Sequence, residues 1–414
     1  LAWLQKMSSI DYIKKLGALL LLASIVPLLF WTTNSHGAQE WKEITSLIGL
    51  QDALLVSDPD GKIIISKNET KKLIPASILK IFTSLVALYY LSEDYRYPTE
   101  FFFDKTYNLK IKGYGDPLLV SEVVGAICNV IASLISTSKN LNDLILDHSF
   151  FEQPLTIPGI SSSAEPYDAP NGALCVNFNT VNFKRTKAGY VSAEPQTPLL
   201  PFAKKKIIAS KLKSGRIVLS HIENENTIYA GKLFQYFLRQ QAIHFKGTVK
   251  LGQVNQLEDQ IIYRYVSRFS LEQIIAKLLE HSNNFTTNQL LISSGVKAFG
   301  QPGNLKKGVA AAKQYARRVL QIKDMEIVEG SGISRKNKVS AQAMLRILEE
   351  FEPHHLLMHQ EGREFYKTGT LYGIRTRAGY ISSKRNGLYR YVVMMNTPGK
   401  STTSLIHRLL RILE

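Results

Sequence analysis

A chain of 414 residues is long enough for two or three domains, or for one domain that carries a large insertion. Its hydrophobic fraction of 45% and charged fraction of 21% are ordinary for a globular protein and argue against a disordered or fibrous class. The net charge of +17 favours anionic partners. The one tight basic run, Lys204–Lys206 with Lys211 and Lys213, lacks any accompanying nucleic-acid-binding signature, so nucleic acid is excluded as the expected partner.

The first 38 residues have the order of regions found in a secretory leader. Lys14 and Lys15 precede an apolar stretch from Leu16 to Trp31, and polar residues follow up to Ala38. This stretch is shorter than the roughly 20 residues that span a bilayer core. The pattern predicts a periplasmic or otherwise extracytoplasmic protein. It leaves open whether residues 1–38 are cleaved off or retained as a membrane anchor.

Two elements are predicted directly after the leader. Two apolar runs within residues 52–66 surround a Pro59-Asp60-Gly61 turn, a pattern that indicates a β-hairpin. The apolar run from Ile78 to Leu91 is too long for a typical strand and follows Pro75. It therefore indicates a buried helix that begins next to Ser77.

The middle of the chain, residues 103–259, has a different pattern of apolar and polar residues. Short apolar runs alternate there with turn clusters at Gly113–Pro117 and Pro166–Gly172, which favours a mostly β insertion. One segment, Tyr229–Gln241, has helical character instead. Cys128 and Cys175, the two cysteines of the chain, leave two readings open: one disulfide bridge, or two buried thiols.

Helical periodicity returns after the insertion, at Ser270–Glu280, where Ser270 and Gln273 form a capping-box pattern. The further predicted elements are a helix at Ser340–Glu350, strands at Arg375–Ser382 and Leu388–Asn396, and an amphipathic helix at Ser401–Glu414. Together these elements predict an α/β (α+β) domain in which an antiparallel sheet lies between helices. This domain is assembled from residues 39–102 and 260–414, with the insertion between them.

The first motif that carries chemistry is Ser77-Ile78-Leu79-Lys80, a Ser-x-x-Lys pattern. On a helix, residues three apart share one face, so the amine of Lys80 can reach the hydroxyl of Ser77. Serine is a weak nucleophile until a base takes its proton. Lysine serves as that base when burial near other cations lowers its pKa far below about 10.4. Alone the motif is weak, because a helix start with a solvated lysine gives the same pattern.

Two further motifs follow in the C-terminal part of the chain. Ser282-Asn283-Asn284 directly follows the capped helix and offers a hydroxyl and an amide. Lys367-Thr368-Gly369-Thr370 directly precedes two predicted strands. Glycine in a strand lets a substrate backbone approach, and the lysine and threonines are donors for a carboxylate.

The three motifs are intact and occur in this order, with 205 residues from Ser77 to Ser282. The trio resembles that of class A β-lactamases and penicillin-binding proteins. The large insertion narrows the resemblance to the D-alanyl-D-alanine carboxypeptidase/endopeptidase family, the low-molecular-mass class C penicillin-binding proteins. Other segments resemble pieces of that family: Gly113–Pro117, Leu144–Phe151, Asp168–Pro170, Asn177–Asn179 and Glu329–Arg335. Glu329 is a departure, since the family usually has aspartate there, and the insertion is shorter than in the longest members.

The resemblance implies a transpeptidase/β-lactamase-like fold and a role for each motif residue. Ser77 attacks the carbonyl of the penultimate D-alanine of a peptidoglycan peptide, Lys80 is the general base, and Ser282 relays the proton to the leaving amine. The implied substrate-binding residues are Asn284, Lys367, Thr368, Gly369 and Thr370. The backbone N–H groups of Ser77 and Thr370 would form the oxyanion hole. No cofactor or metal is expected, and β-lactam antibiotics are expected to acylate the serine.

Three other interpretations compete with this one. A β-lactamase or esterase on the same frame would need a dedicated base for fast deacylation, and no motif supplies one. A catalytically silent wall-binding scaffold would be expected to have lost at least one of the motif residues. A metal hydrolase would use the cluster His354, His355 and His359, but Leu356 stands where a zinc protease requires glutamate. Arg335 and Tyr372 are candidates either for lining the cleft or for ordinary packing, and His281 is expected to shape the end of a helix rather than to transfer a proton.

Overall fold

The computed structural model describes residues 40–135, 141–384 and 386–413. The predicted leader therefore lies outside the described residues. The strands are β1 Asp52–Ser57, β2 Ile63–Lys67, β3 Pro98–Phe103, β4 Leu109–Gly113, β5 Leu144–Asp147, β6 Thr180–Thr186, β7 Gly189–Ser192, β8 Ser214–Val218, β9 Val249–Leu251, β10 Gln260–Val266, β11 His359–Glu361, β12 Glu364–Leu371, β13 Ile374–Ser383 and β14 Gly387–Met395. The helices are α1 40–46, α2 Leu79–Leu91, α3 Ser121–Leu134, α4 Pro201–Ser210, α5 Glu225–Gln240, α6 Leu271–His281, α7 Asn284–Phe299, α8 Leu305–Arg318, α9 Ala341–Phe351 and α10 Thr403–Ile412.

A six-stranded sheet in the order β11-β12-β13-β14-β1-β2 forms the centre of the domain that the insertion interrupts. Every neighbouring pair in it is antiparallel, and the hairpin predicted for residues 52–66 is the pair β1 and β2. The first and the last strand of the chain are therefore neighbours in this sheet, with Asp52 of β1 paired with Met395 of β14.

Side-chain alternation along these strands gives the sheet two apolar faces. Leu55 and Val392 point to one face and pack with apolar residues of α2, α6, α7, α8 and α9. Leu54 and Val393 point to the other face and pack with residues of the N-terminal segment and α10. The prediction of an antiparallel sheet between helices is therefore confirmed.

The insertion forms a second core with its own sheets. Its larger sheet has the order β10-β3-β4-β5-β9 and is mixed, since β4–β5 and β5–β9 are parallel pairs. A smaller sheet has the order β7-β6-β8. The chain enters and leaves this region through neighbouring strands, because Pro98 of β3 pairs with Val266 of β10.

The structure of the insertion differs from the mostly β expectation for residues 103–259. Besides short strands it contains the helices α3, α4 and α5, so it is a mixed α/β unit. Its sheet also includes β3 and β10, which extend beyond residues 103 and 259. The helix α3 was not predicted because four of its six buried residues are valines and isoleucines, whose local preference favours strands. Tertiary packing overrides that preference.

Both cysteines are free, buried thiols in this unit. The Cys128 thiol lies 3.7 Å from the Phe234 carbonyl oxygen, and that of Cys175 lies 3.0 Å from Asn179 Nδ2. Burial raises the pKa of the Cys175 thiol to about 12, so this group is an inert packing element. Among the residues that the structure describes, no helix is long and apolar enough to cross a bilayer.

Candidate active site

Ser77 lies in a short 3₁₀ turn, Ala76–Ile78, that leads directly into α2. The preceding residue, Ala76, has a φ of 49°, a left-handed conformation that is costly for a residue with a Cβ atom. Two glycines pack against this turn. A Cβ atom on Gly332 would lie 1.9 Å from the Ala76 carbonyl oxygen, and one on Gly369 would lie 2.8 Å from the Ser77 nitrogen. The strained turn is thus held from two sides, which fixes the direction of the Ser77 side chain.

Lys80, one helical turn beyond Ser77, is fully buried. Its Nζ atom makes three close polar contacts: 2.9 Å to Ser77 Oγ, 2.8 Å to Asn284 Oδ1 and 2.7 Å to the Ser331 carbonyl oxygen. A neutral amine has two N–H groups and one lone pair. The two acceptors Asn284 Oδ1 and Ser331 O take both N–H groups, which leaves the lone pair for the Ser77 hydroxyl proton.

The electrostatic surroundings of Lys80 favour its neutral form. Burial and the positive charge of Lys367 lower the pKa of Lys80 to about 7, although the negative charge of Glu329 opposes this shift. A substantial fraction of Lys80 is therefore a neutral amine at neutral pH. This is the state in which the side chain can accept a proton from serine.

The second motif lies at the sharp junction between α6 and α7. Ser270 and Gln273 form the predicted capping box at the start of α6, and Ser282 ends that helix in the left-handed conformation with a φ of 54°. Asn283 then caps α7, accepting a hydrogen bond from the Thr286 N–H at 2.9 Å. This reversal makes Asn284 the first residue of α7 and brings its amide to Lys80. Within the described residues, no hydrogen bond joins Ser282 to Ser77 or Lys80, so its relay role stays a prediction.

The third motif lies on β12, along an open part of the sheet edge. The short strand β11 pairs with Glu364–Tyr366 alone, so the segment from Lys367 onward has no further strand of the sheet on that side. Lys367 and Gly369 are buried on the side facing the Ser77 turn, whereas Thr368 and Thr370 are exposed. Backbone groups on an open edge can pair with an extended peptide.

Lys367 is 4% exposed, and in the described part of the chain it has no hydrogen-bond or ion-pair partner. Burial lowers its pKa to about 8 despite the opposing charge of Glu280. A buried cation without a partner is costly. An anionic group bound in the cleft would relieve that cost, which fits the predicted contact with a substrate carboxylate.

Sequence reasoning missed a loop that closes the site from behind, residues 329–337. Its Ser331 carbonyl binds Lys80, and its Gly330 carbonyl accepts a hydrogen bond from Thr83 Oγ1 at 2.7 Å. The segment Glu329–Arg335 resembles a piece of the family, but the resemblance implies no role for it. A backbone carbonyl leaves no signature in the sequence, so its contact with Lys80 could not be predicted.

The histidine cluster lies apart from these contacts. His355 packs edge-on against Phe365 and Tyr380, and His359 Nδ1 lies 2.9 Å from Glu280 Oε2. No group of three or more metal-ligating side chains occurs among the described residues. Arg335 donates a hydrogen bond to the Tyr372 carbonyl, and the Tyr372 ring is exposed. His281 ends α6 beside Ser282.

Comparison with known proteins identifies the family and the fold of this chain. The model of the D-Ala-D-Ala carboxypeptidase 3 (S13) family matches residues 42–215 and 208–361, more than half of the chain. The chain belongs to this family. The resemblance to D-alanyl-D-alanine carboxypeptidases and class C penicillin-binding proteins is thereby confirmed.

Individual relatives are distant. D-alanyl-D-alanine carboxypeptidase DacB of Haemophilus influenzae is 26% identical over 212 residues, 45% of this chain and 43% of that protein. D-alanyl-D-alanine carboxypeptidase of Actinomadura sp. is 24% identical over 342 residues, 71% of this chain and 63% of that protein. Each of these matches therefore spans less than two thirds of the relative.

Solved structures support the fold. Penicillin binding protein 4 of H. influenzae superimposes with a TM-score of 0.74 at 19% identity, covering 90% of this chain and 98% of that one. A predatory peptidoglycan endopeptidase of Bdellovibrio bacteriovorus gives a TM-score of 0.51 at 15% identity, covering 87% and 90%. The expected transpeptidase/β-lactamase-like fold class is confirmed by the first of these.

Proposed function

We propose that this protein is an extracytoplasmic serine-type D-alanyl-D-alanine carboxypeptidase or endopeptidase that acts on peptidoglycan peptides and is inhibited by penicillin. The observation that carries this proposal is the position of the Lys80 amine, 2.9 Å from Ser77 Oγ and held by two acceptors. Family membership supports the substrate class, since the relatives are named D-alanyl-D-alanine carboxypeptidases.

Acylation begins when the Ser77 hydroxyl gives its proton to Lys80 Nζ and Ser77 Oγ forms a bond to the carbonyl carbon of the penultimate D-alanine. The carbonyl oxygen becomes an oxyanion, which the backbone N–H groups of Ser77 and Thr370 stabilise. Gly369 packs against the Ser77 nitrogen, so the two proposed donors belong to neighbouring backbone segments. The peptide C–N bond then breaks, and the leaving D-alanine nitrogen takes a proton from Lys80 through Ser282.

Deacylation reverses the proton path. A water molecule gives its proton to the neutral Lys80, attacks the acyl carbon and releases the shortened peptide, while Ser77 Oγ recovers a proton. Penicillin enters the same path up to the acyl-enzyme, because it carries both a reactive amide and a carboxylate. No dedicated carboxylate base for its hydrolysis is evident from the motifs, so the penicilloyl-enzyme is expected to persist.

Substrate binding uses the open edge of β12 and the unpaired cation on it. The carboxylate of the terminal D-alanine lies against Lys367 with the exposed Thr368 and Thr370, and the peptide backbone lies along Gly369. In an endopeptidase reaction, the carboxylate that binds Lys367 belongs instead to a D-configured carbon of the neighbouring stem peptide. The chemistry on Ser77 is identical in both cases.

Labelling with a fluorescent penicillin tests the proposal against its alternatives. The wild-type protein is expected to retain a stable covalent label, and Ser77→Ala is expected to remain folded without any label, since the change removes one hydroxyl from the cleft. Rapid loss of the label with turnover of the drug would instead identify a β-lactamase. A folded wild-type protein that takes up no label would be a silent scaffold.

A further inference from the structure

Glu329 is a fully buried carboxylate surrounded by hydrogen-bond donors. Its Oε1 atom accepts from the Gly332 N–H at 2.8 Å, the Ser334 N–H at 3.2 Å and Asn337 Nδ2 at 2.5 Å. Its Oε2 atom accepts from the Ser331 N–H at 2.6 Å, Ser331 Oγ at 2.7 Å and, more weakly, Asn288 Nδ2 at 3.3 Å. Ion-pair partners for Glu329 are absent from the described chain. Its charge is therefore stabilised by donors of the loop that it begins and by one residue of α7.

Three of the residues that donate to Glu329 lie next to the reactive pair or on the helix that carries Asn284. Ser331 supplies the carbonyl that binds Lys80 at 2.7 Å. Gly332 lies against the Ala76 carbonyl with a φ of +83°, in space that no side chain could share. Asn288, on α7 one turn beyond Asn284, also binds the Gly330 N–H through its own oxygen at 2.9 Å. Glu329 thus connects the loop to both α7 and the Ser77 turn.

We propose that Glu329 is a positioning residue for the acylation reaction: it fixes the 329–337 loop so that the Ser331 carbonyl orients the Lys80 lone pair towards Ser77. This inference rests on the proposed function of Ser77 and Lys80. Without the Ser331 contact, Lys80 keeps one acceptor, Asn284 Oδ1, and can rotate about that bond away from the serine. A base displaced by a fraction of an ångström loses much of its effect.

The charge of Glu329 has a second, separable effect. The groups that face Lys80 are Lys367 from β12, Asn284 from α7, Ser77 from its own turn and the Ser331 carbonyl, with Glu329 behind that carbonyl. Lys367 lowers the pKa of Lys80 and Glu329 raises it. Removal of the negative charge therefore lowers the pKa of Lys80 further. The base becomes neutral at a lower pH. The acid side of the pH–rate profile for acylation, here called the acid limb, therefore shifts to lower pH.

The test is the second-order rate of acylation by a chromogenic or fluorescent penicillin, measured from pH 5 to 9 on the full chain. Glu329→Gln is expected to lower the plateau rate at least about tenfold, since a base can supply 10²–10⁴-fold, and to shift the acid limb to lower pH. Glu329→Asp keeps the charge on a shorter side chain, and it is expected to restore the position of the limb and most of the rate. Asn337→Ala removes one donor but no charge, so it is expected to lower the rate without shifting the limb.

Two results would overturn the positioning role. One is a folded Glu329→Gln protein with the wild-type rate and the wild-type limb. The other, which applies if Glu329→Gln does not fold, is Asn337→Ala acylating at the full wild-type rate. If the first of these results is accompanied by a loss of folded protein, Glu329 has a structural role alone. Failure of the proposed function is distinct from all of these, because the wild-type protein itself would then not be acylated on Ser77.

Discussion

Buried lysines occur in two regions of this molecule, and their partners differ. In the insertion, Lys110 Nζ lies 2.8 Å from Asp259 Oδ2, and Lys112 Nζ lies 3.6 Å from Asp147 Oδ2. In the catalytic cleft, Lys80 and Lys367 are at least as deeply buried, yet neither has a carboxylate within ion-pair distance in the described chain. Burial without an ion pair lowers the pKa of both cleft lysines, to about 7 and about 8, although the charges of Glu329 and Glu280 oppose these shifts.

We interpret the paired lysines of the insertion as stabilising and the unpaired lysines of the cleft as the reactive ones. A buried ion pair holds two segments together, and removal of one partner leaves an uncompensated charge. A buried lysine with no ion pair contributes nothing of that kind to folding, but it is available to take a proton or to bind an incoming anion. Substitutions in the two regions should therefore affect different measurements.

The largest expected effect is on the reaction, from Lys80→Ala. We expect a loss of about 10²–10⁴-fold in the acylation rate, the range supplied by a positioned general base. The free energy of unfolding should fall modestly, because the lost hydrogen bonds to Asn284 Oδ1 and the Ser331 carbonyl are partly offset by the removal of a desolvated amine. Stopped-flow acylation and a denaturant titration measure the two quantities. A Lys80→Ala protein that is acylated at the wild-type rate would mean that another group is the general base.

Lys367→Ala should have the next largest effect. A charge-assisted contact at a buried site is worth about 2–5 kcal/mol, which corresponds to roughly 30- to several-thousand-fold in acylation efficiency. The loss should be similar for a D-alanyl-D-alanine peptide and for penicillin, since both present a carboxylate.

A triple Lys204/Lys205/Lys206→Gln variant is the control for Lys367→Ala, because it removes charge from α4, where Lys204 and Lys205 are exposed and Lys206 is half-buried beside Glu225. It should leave the reaction with small substrates almost unchanged, and any weaker binding to intact anionic wall should fade as salt rises. If Lys367→Ala is fully acylated and the triple variant loses acylation, the carboxylate-binding site lies in the insertion instead.

The smallest expected effect on catalysis comes from Lys110→Met in the insertion. Loss of the ion pair leaves Asp259 buried and should cost about 3–5 kcal/mol of stability. Acylation per folded molecule should not change. The double variant Lys110→Met/Asp259→Leu should recover part of the stability, because no unpaired charge remains. A large acylation defect in folded Lys110→Met would contradict the claim that lysines of the insertion affect stability alone.

Much of the catalytic domain could be predicted from the sequence because local signals there agree with the fold. The capping box at Ser270, the apolar helix after Ser77 and the alternating strands β13 and β14 each carry a local pattern. The insertion could not be predicted as well, since the parallel pairing of β4 with β5 depends on residues far apart in the chain.

The candidate site divides in the same way. Side chains that belong to spaced motifs, such as Ser77, Lys80 and Asn284, could be proposed from the sequence, and the structure places the three within hydrogen-bond distance of one another through Lys80. The Ser331 carbonyl and the donors to Glu329 were not, because backbone groups have no residue identity and Asn288 joins them only through folding. The strained backbone at Ala76 could not be predicted from the sequence either, since nothing in its sequence context requires a positive φ.

The most direct test of the account is to map the site of acylation. After incubation with benzylpenicillin, the intact protein should gain the mass of one drug molecule, and digestion should place that mass on the peptide that contains Ser77. An adduct on any other serine, or a folded protein that gains no mass, would contradict the assignment of Ser77 as the nucleophile and of Lys80 as its base.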